Sequence, residues 1–187
     1  FSSQEENLAR HQGVHARIFQ DRFAARLAPY ASMIEAASRR FDIPQALLQA
    51  VIMAESGGNP GAKAGITSAK GLMQTIDSTF RMARRGLAQK GIVIADDPFD
   101  PEASIMAGAW YLDRMYQKAL SDGKMVQENR NDIGSWRYPL EYYYAGPGNG
   151  SRAENKIQVY SNGETRIIDK RAYSGKIQSW AQILAAS

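Results

Sequence analysis

Residues 44–74 read PQALLQAVIMAESGGNPGAKAGITSAKGLMQ, and their first part predicts a helix that bears one acid and then stops. Asp42, just ahead, is placed to accept from the free N–H groups of the first turn, and Pro44 sits where a missing N–H does no harm. Leu47, Leu48, Val51 and Ile52 recur at helical spacing, so one side of the helix faces a core. Glu55 follows Val51 by four residues and shares that stripe. Gly57 and Gly58 supply the left-handed backbone that ends a helix, so Glu55 falls in the last turn.

This placement has a chemical consequence. A carboxylate at the negative end of a helix dipole is destabilised, and an apolar stripe penalises its charge further. Both effects push the pKa of Glu55 upward, towards an acid still protonated near neutral pH and able to donate to a leaving oxygen. A solvated glutamate at a frayed helix end is the plainer alternative, and spacing alone favours it.

The motifs downstream change that balance. Residues 56–70 are rich in Gly, Ala and Ser, with Asn59-Pro60-Gly61 as a turn, and read either as a connector or as a binding loop beside the acid. With Glu55-Ser56, Gly71-Leu72-Met73-Gln74 and Tyr143-x-Ala145-Gly146-Pro147-Gly148 in that order, the chain resembles the lytic transglycosylases of the lysozyme-like superfamily. The type is that related to soluble lytic transglycosylase, phage-borne versions included. The resemblance runs from about Tyr30 to the C-terminus. It implies a mainly α fold: a lysozyme-like helical domain of the goose-type lysozyme and transglycosylase kind, with a small β-hairpin. It makes Glu55 the catalytic acid, and Ser56, Met73, Gln74, Tyr143, Ala145 and Tyr173 substrate-binding. Leu72 and Met73 read more readily as core, and Ser56 reads equally as a helix-end hydroxyl. The family pattern of alanine, tyrosine, asparagine, alanine, glycine meets Tyr142 to Gly146 here, so Tyr143 matches the motif tyrosine and Tyr144 replaces the asparagine. The resemblance puts the Tyr143 phenol beside the acid, hydrogen-bonded to it. Glu164-Thr165-Arg166 looks like the family's stretch ahead of a tyrosine, with Tyr173 further along than that pattern expects.

Composition sets the outer bounds. The 187 residues, 44% hydrophobic and 22% charged, suit one domain with a substantial core. The division expected is an N-terminal helical extension over 1–28 and a catalytic domain over 29–187. No cysteine is present, which excludes disulfides, thiolate chemistry and zinc–cysteine sites. The net charge of +4 is spread over scattered Lys and Arg, as on a solvated surface; Arg39-Arg40, Arg84-Arg85 and Lys170-Arg171 are the adjacent pairs. No apolar run reaches membrane-spanning length. The chain begins at Phe1 rather than methionine, as expected of a processed or trimmed form that has lost any export signal.

Along the chain, Phe1 to about Gly13 is polar and expected to fray. His11 and His15 stand four apart like metal ligands, but with no third ligand the pairing reads as coincidence. Val14 to Leu27 predicts a helix with Ile18, Phe19, Phe23, Ala25 and Leu27 apolar, ended by Pro29. Tyr30 to Phe41 predicts another, with Ile34, Ala37 and Phe41 inward. Asp77 is expected to cap a helix over 78–85 that Gly86 terminates. Ile92-Val93-Ile94 is a candidate strand. Asp100-Pro101-Glu102 starts a long helix with Ile105, Ala109, Leu112, Tyr116 and Ala119 inward. Residues 121–133 read as a polar loop. Pro139 opens a short helix closed by Gly146-Pro147-Gly148. Ser161-Asn162-Gly163 between β-prone runs predicts a hairpin. Ile177, Trp180, Ala181 and Leu184 make the last helix amphipathic.

The resemblance implies cleavage of the β-1,4 bond between N-acetylmuramic acid and N-acetylglucosamine in peptidoglycan glycan strands, leaving 1,6-anhydromuramoyl ends, with no metal or organic cofactor. Asp132 and Glu141 are candidates for a second carboxylate. Two alternatives stand beside this reading: a goose-type muramidase using water, and a non-catalytic wall-binding domain. A nucleic-acid partner and an integral membrane segment are not expected, a monomer is favoured, and the implied setting is periplasmic, cell-wall-associated or phage-associated. Whether cleavage is at chain ends or mid-chain depends on whether residues 121–138 and 156–168 close the cleft.

Overall fold

The computed structural model describes residues 2–125 and 127–186; Phe1, Val126 and Ser187, which fall within the expected frayed start, the polar loop and the last helix region, lie outside the described residues. It is mainly helical. In chain order come α1 (Ser2–Leu27), α2 (Ala31–Phe41), α3 (Gln45–Ser56), α4 (Asp77–Gln89), α5 (Pro101–Ser121) and α6 (Arg137–Gly150). The hairpin β1 (Lys156–Ser161) and β2 (Glu164–Asp169) and the final helix α7 (Lys170–Ala185) follow. The lysozyme-like helical domain with a small hairpin expected from the sequence is the observed architecture.

The core is built around α5. Ile105, Ala109, Leu112, Tyr116 and Ala119 are buried as their spacing requires, but so are Ser104, Gly108, Trp110 and Met115. A helix buried nearly all round lies inside the fold, and α2, α4 and α6 pack on it. Asp100 caps it, its carboxylate accepting from the Ala103 N–H at 2.9 Å. α3 lies in the second layer against α7, with Leu47, Leu48, Val51 and Ile52 fully buried.

Several local expectations are corrected. Asp42 does not cap α3; it closes α2 in a left-handed conformation (φ 53°), and Pro44 occupies the N-cap of α3 without a side-chain bond. Asp77 lies inside α4, whose N-cap is Ile76, and the helix runs through Gly86 to Gln89. Gly86 is needed for packing rather than termination: a Cβ there would meet the Trp110 ring at 2.3 Å. Residues 92–94 form no strand; Ile94 reaches the core from an irregular segment. The short helix at Pro139 begins at Arg137, and Gly146 (φ 83°, ψ 157°) kinks the chain before helical geometry resumes. The polar start is helical over Ser2–Leu27, although residues 3–15 stay exposed. Phe23 and Leu27 bury as expected, whereas Ile18 and Ala25 stay exposed.

Lys170 departs from the solvated-surface reading of its pair. It is buried, and its ammonium donates to the carbonyls of Asn149, Gly150 and Arg152 at 3.0, 3.3 and 2.7 Å. These carbonyls lie at and just beyond the end of α6, so the lysine caps one helix from the start of the next. His11 and His15 face each other on the exposed side of α1, Nε2 to Nε2 at 2.9 Å, and no cluster of three or more metal-type ligands occurs among the described residues. Among those residues no helix is long and apolar enough to cross a membrane.

Candidate active site

Glu55 ends α3 because Gly57 takes the left-handed conformation (φ 62°) that returns its N–H to the Met53 carbonyl. The chain then turns away, and the carboxyl forms part of the wall of a groove of about 340 Å³. The groove draws on many elements: Thr67 and Ala69 from the loop after α3, Gln74 and Thr75 from the turn before α4, Tyr111 from α5, Tyr143 to Gly146 from α6, and Arg166 from β2. Among the described lining residues Glu55 is the one carboxylate and Arg166 the one cation.

Burial dominates the electrostatics of Glu55. The residue keeps some exposure, as a group reached from a groove must, yet its surroundings push the carboxyl up from its ordinary 4.5 to about 7. Lys176 and the Tyr173 phenol oppose this by favouring the charged form, but do not cancel it. A carboxyl with a pKa near 7 populates both protonation states at neutral pH, as one group serving as acid and then base requires.

The tyrosine expected beside the acid is placed differently. The Tyr143 hydroxyl donates to the Met73 carbonyl at 2.6 Å, not to Glu55, and senses the acid only through charge. The phenol that acts as donor towards Glu55 belongs to Tyr173. This contact is loose: the buried Tyr173 oxygen meets no partner at full hydrogen-bond geometry. Tyr173 in turn stacks on Tyr144, centroids 4.2 Å apart and planes at 10°, so Tyr144, which lines the groove, covers Tyr173.

The remaining expected residues divide. Gln74 and Ala145 line the groove. Gln74 adopts φ 52° and its amide nitrogen donates to the carbonyls of Ala62 and Gly71 at 3.0 and 2.9 Å, locking the turn that presents it. Met73 does not offer its side chain to the groove. It is fully buried, lodged where Gly108 has no Cβ, and its backbone N–H and carbonyl are bonded to Ser104 and Tyr143. Ser56 is a helix-end hydroxyl, donating to the Ile52 carbonyl and accepting from the Gly58 N–H; it does not line the groove. The candidate second carboxylates lie elsewhere. Asp132 caps a 3₁₀ turn by accepting from the Gly134 N–H, and Glu141 is buried against Arg137 and Ser174.

Sequence reasoning missed Thr75, Tyr111 and Arg166. Tyr111 sits in a helix whose other apolar residues are core, and nothing in its spacing sets it apart. Thr75 is buried at the groove with its hydroxyl unpartnered among the described residues. Arg166 had a usable signal: two residues before Ile168 on a strand, it must share that residue's face, although it stays exposed there.

The hairpin that carries Arg166 is tied down. Asn162 and Ser161 donate from its turn to the Ile66 carbonyl, joining the hairpin to the loop beside Glu55.

Comparison with solved structures finds relatives of this fold. An inactive mutant of lytic transglycosylase Slt from Pseudomonas aeruginosa superposes with a TM-score of 0.61 at 18% identity, over 84% of this chain and 24% of that one. The 70-kDa soluble lytic transglycosylase Slt70 from Escherichia coli gives 0.58 at 20% identity, over 84% and 24%. A complex of the 70-kDa soluble lytic transglycosylase with bulgecin A gives 0.54 at 20%, over 90% and 25%. At these identities the likeness is one of fold, and the chain spans about a quarter of the length of these structures. Residues 32–182, taking in every residue that lines the groove, match the transglycosylase SLT domain, and the chain belongs to that family.

Proposed function

We propose that this chain is a peptidoglycan lytic transglycosylase that cleaves the β-1,4 bond between N-acetylmuramic acid and N-acetylglucosamine. The observation that carries the reading is a single carboxyl, with a pKa near 7, in the wall of a groove whose described lining holds no second acid. The membership of the transglycosylase SLT domain family supports it.

In the proposed reaction the Glu55 carboxylic acid gives its proton to the glycosidic oxygen, and the C1–O bond breaks. Charge developing at C1 is shared with the substrate's own N-acetyl group. Glu55, now a carboxylate, removes the proton from the C6 hydroxyl, whose oxygen bonds to C1. The product is a 1,6-anhydromuramoyl end, and Glu55 regains its proton without consuming water. Tyr173, as a donor towards the carboxylate, stabilises the intermediate charge state. Glu55 would be the catalytic residue, with Gln74 and Ala145 against the saccharide. A substrate of this kind places the protein at the cell wall or in the periplasm, or in a phage that opens walls.

A muramidase of goose-type lysozyme kind would need a second carboxylate to activate water. Asp132 and Glu141, both engaged away from the groove, do not favour it. The test is digestion of purified sacculi by wild type and Glu55→Gln. Soluble anhydro fragments from the wild type, and none from a variant that still binds sacculi, support the assignment. Undiminished release by Glu55→Gln overturns it, and sacculus binding without release by either protein leaves a glycan-binding domain.

A further inference from the structure

The hairpin brings a cation to the groove. Opposite residues on antiparallel strands share a face, so the pairs Ile157–Ile168 and Val159–Arg166 point the same way. Ile157 and Ile168 are buried, and Ile167, on the other face, is 73% exposed. Arg166 shares the face of Ile168 but, nearer the turn, stays exposed, and it lines the groove. Its guanidinium makes no ion pair or hydrogen bond among the described residues, although carboxylates elsewhere take arginine partners, as Asp113 and Glu128 do with Arg130. An exposed, unpaired guanidinium at the edge of a groove has its donors free for a ligand.

The neighbouring groups narrow the ligand. Tyr144 lines the same groove, held flat against Tyr173, and the charge of Arg166 reaches its phenol. A guanidinium beside a phenol offers a fork of N–H donors and an O–H donor, a combination suited to a carboxylate. Within the glycan strand, N-acetylglucosamine is uncharged. N-acetylmuramic acid carries a lactyl arm that ends in a carboxylate, either free or tied as an amide to a peptide bearing further carboxylates.

We propose that Arg166, with Tyr144, forms a subsite for a carboxylate on the lactyl arm of the muramoyl residue, and so selects muramoyl over uncharged sugar. The inference rests on the glycan-cleaving reading and adds to it the residue that reads the substrate's charge. Tyr144 is the position at which this chain departs from the asparagine of the family pattern, so the subsite is a property of this chain. The hairpin's attachment to Ile66 holds Arg166 over the groove, which makes it a specificity residue rather than a catalytic one.

The test uses binding and turnover separately. Glu55→Gln protein, with and without Arg166→Gln, is titrated with N-acetylglucosamine oligomers, with peptide-free glycan fragments bearing free lactyl carboxylates, and with peptide-bearing fragments of equal length. Arg166→Gln is expected to weaken the carboxylate-bearing fragments about tenfold or more, as for loss of a charge-assisted pair, and to leave the uncharged oligomers within twofold. A loss confined to peptide-free fragments identifies the lactyl carboxylate, and one confined to peptide-bearing fragments identifies a carboxylate of the peptide. With Glu55 intact, Arg166→Gln is expected to raise KM and move kcat little. Equal weakening for all ligands, or for none, overturns the subsite. Because the binding arm needs no turnover, a protein that binds with this selectivity but releases no fragments would refute the catalytic reading and not this one.

Discussion

The Tyr143 hydroxyl donates to the Met73 carbonyl at 2.6 Å, and through that bond α6 holds the turn that presents Gln74. Met73 is fixed from both sides, since its N–H also donates to the Ser104 hydroxyl at 3.1 Å. This part of the site is therefore a hydrogen-bonded join between three segments, not a loose loop.

Tyr143→Phe leaves the buried Met73 carbonyl without its donor. Loss of about 1–3 kcal/mol of stability is expected, read as a lower urea midpoint with unchanged m. Because the phenol does not bond Glu55, the pH midpoint of activity is expected to stay where it is.

Tyr173→Phe is expected to do the reverse. Tyr173 favours the charged form of Glu55, so its removal moves the alkaline limb of the kcat profile above the position set by a pKa near 7. An unshifted limb would show that the loose contact does not tune the acid.

Glu55 also links stability to pH. Its folded pKa of about 7 lies above its ordinary 4.5, so the folded state binds the proton more tightly than the unfolded chain. Stability is favoured below pH 4.5 and falls as pH rises through 7, by at most ~3.5 kcal/mol at about 1.4 kcal/mol per pH unit. Glu55→Gln, which cannot ionise, is expected to exceed the wild type in stability at pH 8, with the advantage shrinking as pH falls towards 4.5. Denaturation curves at several pH values check this.

Gly71→Ala is expected to be among the most damaging small substitutions. At φ 81° the residue is left-handed, and a Cβ would lie 2.0 Å from the Pro98 carbonyl oxygen. Since that backbone cannot swing aside as a side-chain tip does, the turn before Gln74 must move. Loss of soluble expression, or a large fall in Tm together with activity, is the expected outcome.

Much of this was legible in the sequence, for identifiable reasons. The α3 stripe and the Gly57 stop follow from local periodicity and helix-end chemistry, both encoded within a dozen residues; the sequence predicts the upward direction of the Glu55 pKa, but its cause is burial among distant elements. The hairpin was readable from Asn162-Gly163. The misread features depend on distant neighbours. Gly86 looks like a terminator until Trp110 is seen packed on it, and Lys170 looks like surface charge until the end of α6 comes to meet it. Tyr143 matched a motif, but its partner is chosen by where the Met73 carbonyl lies, seventy residues back in the chain.

The central claim is that one carboxyl gives up and recovers a proton while the muramoyl C6 oxygen, not water, attacks C1. Digesting sacculi in water enriched in heavy oxygen and weighing the released fragments tests it directly. Unlabelled 1,6-anhydromuramoyl ends are the predicted products; reducing ends carrying the heavy oxygen would contradict the account.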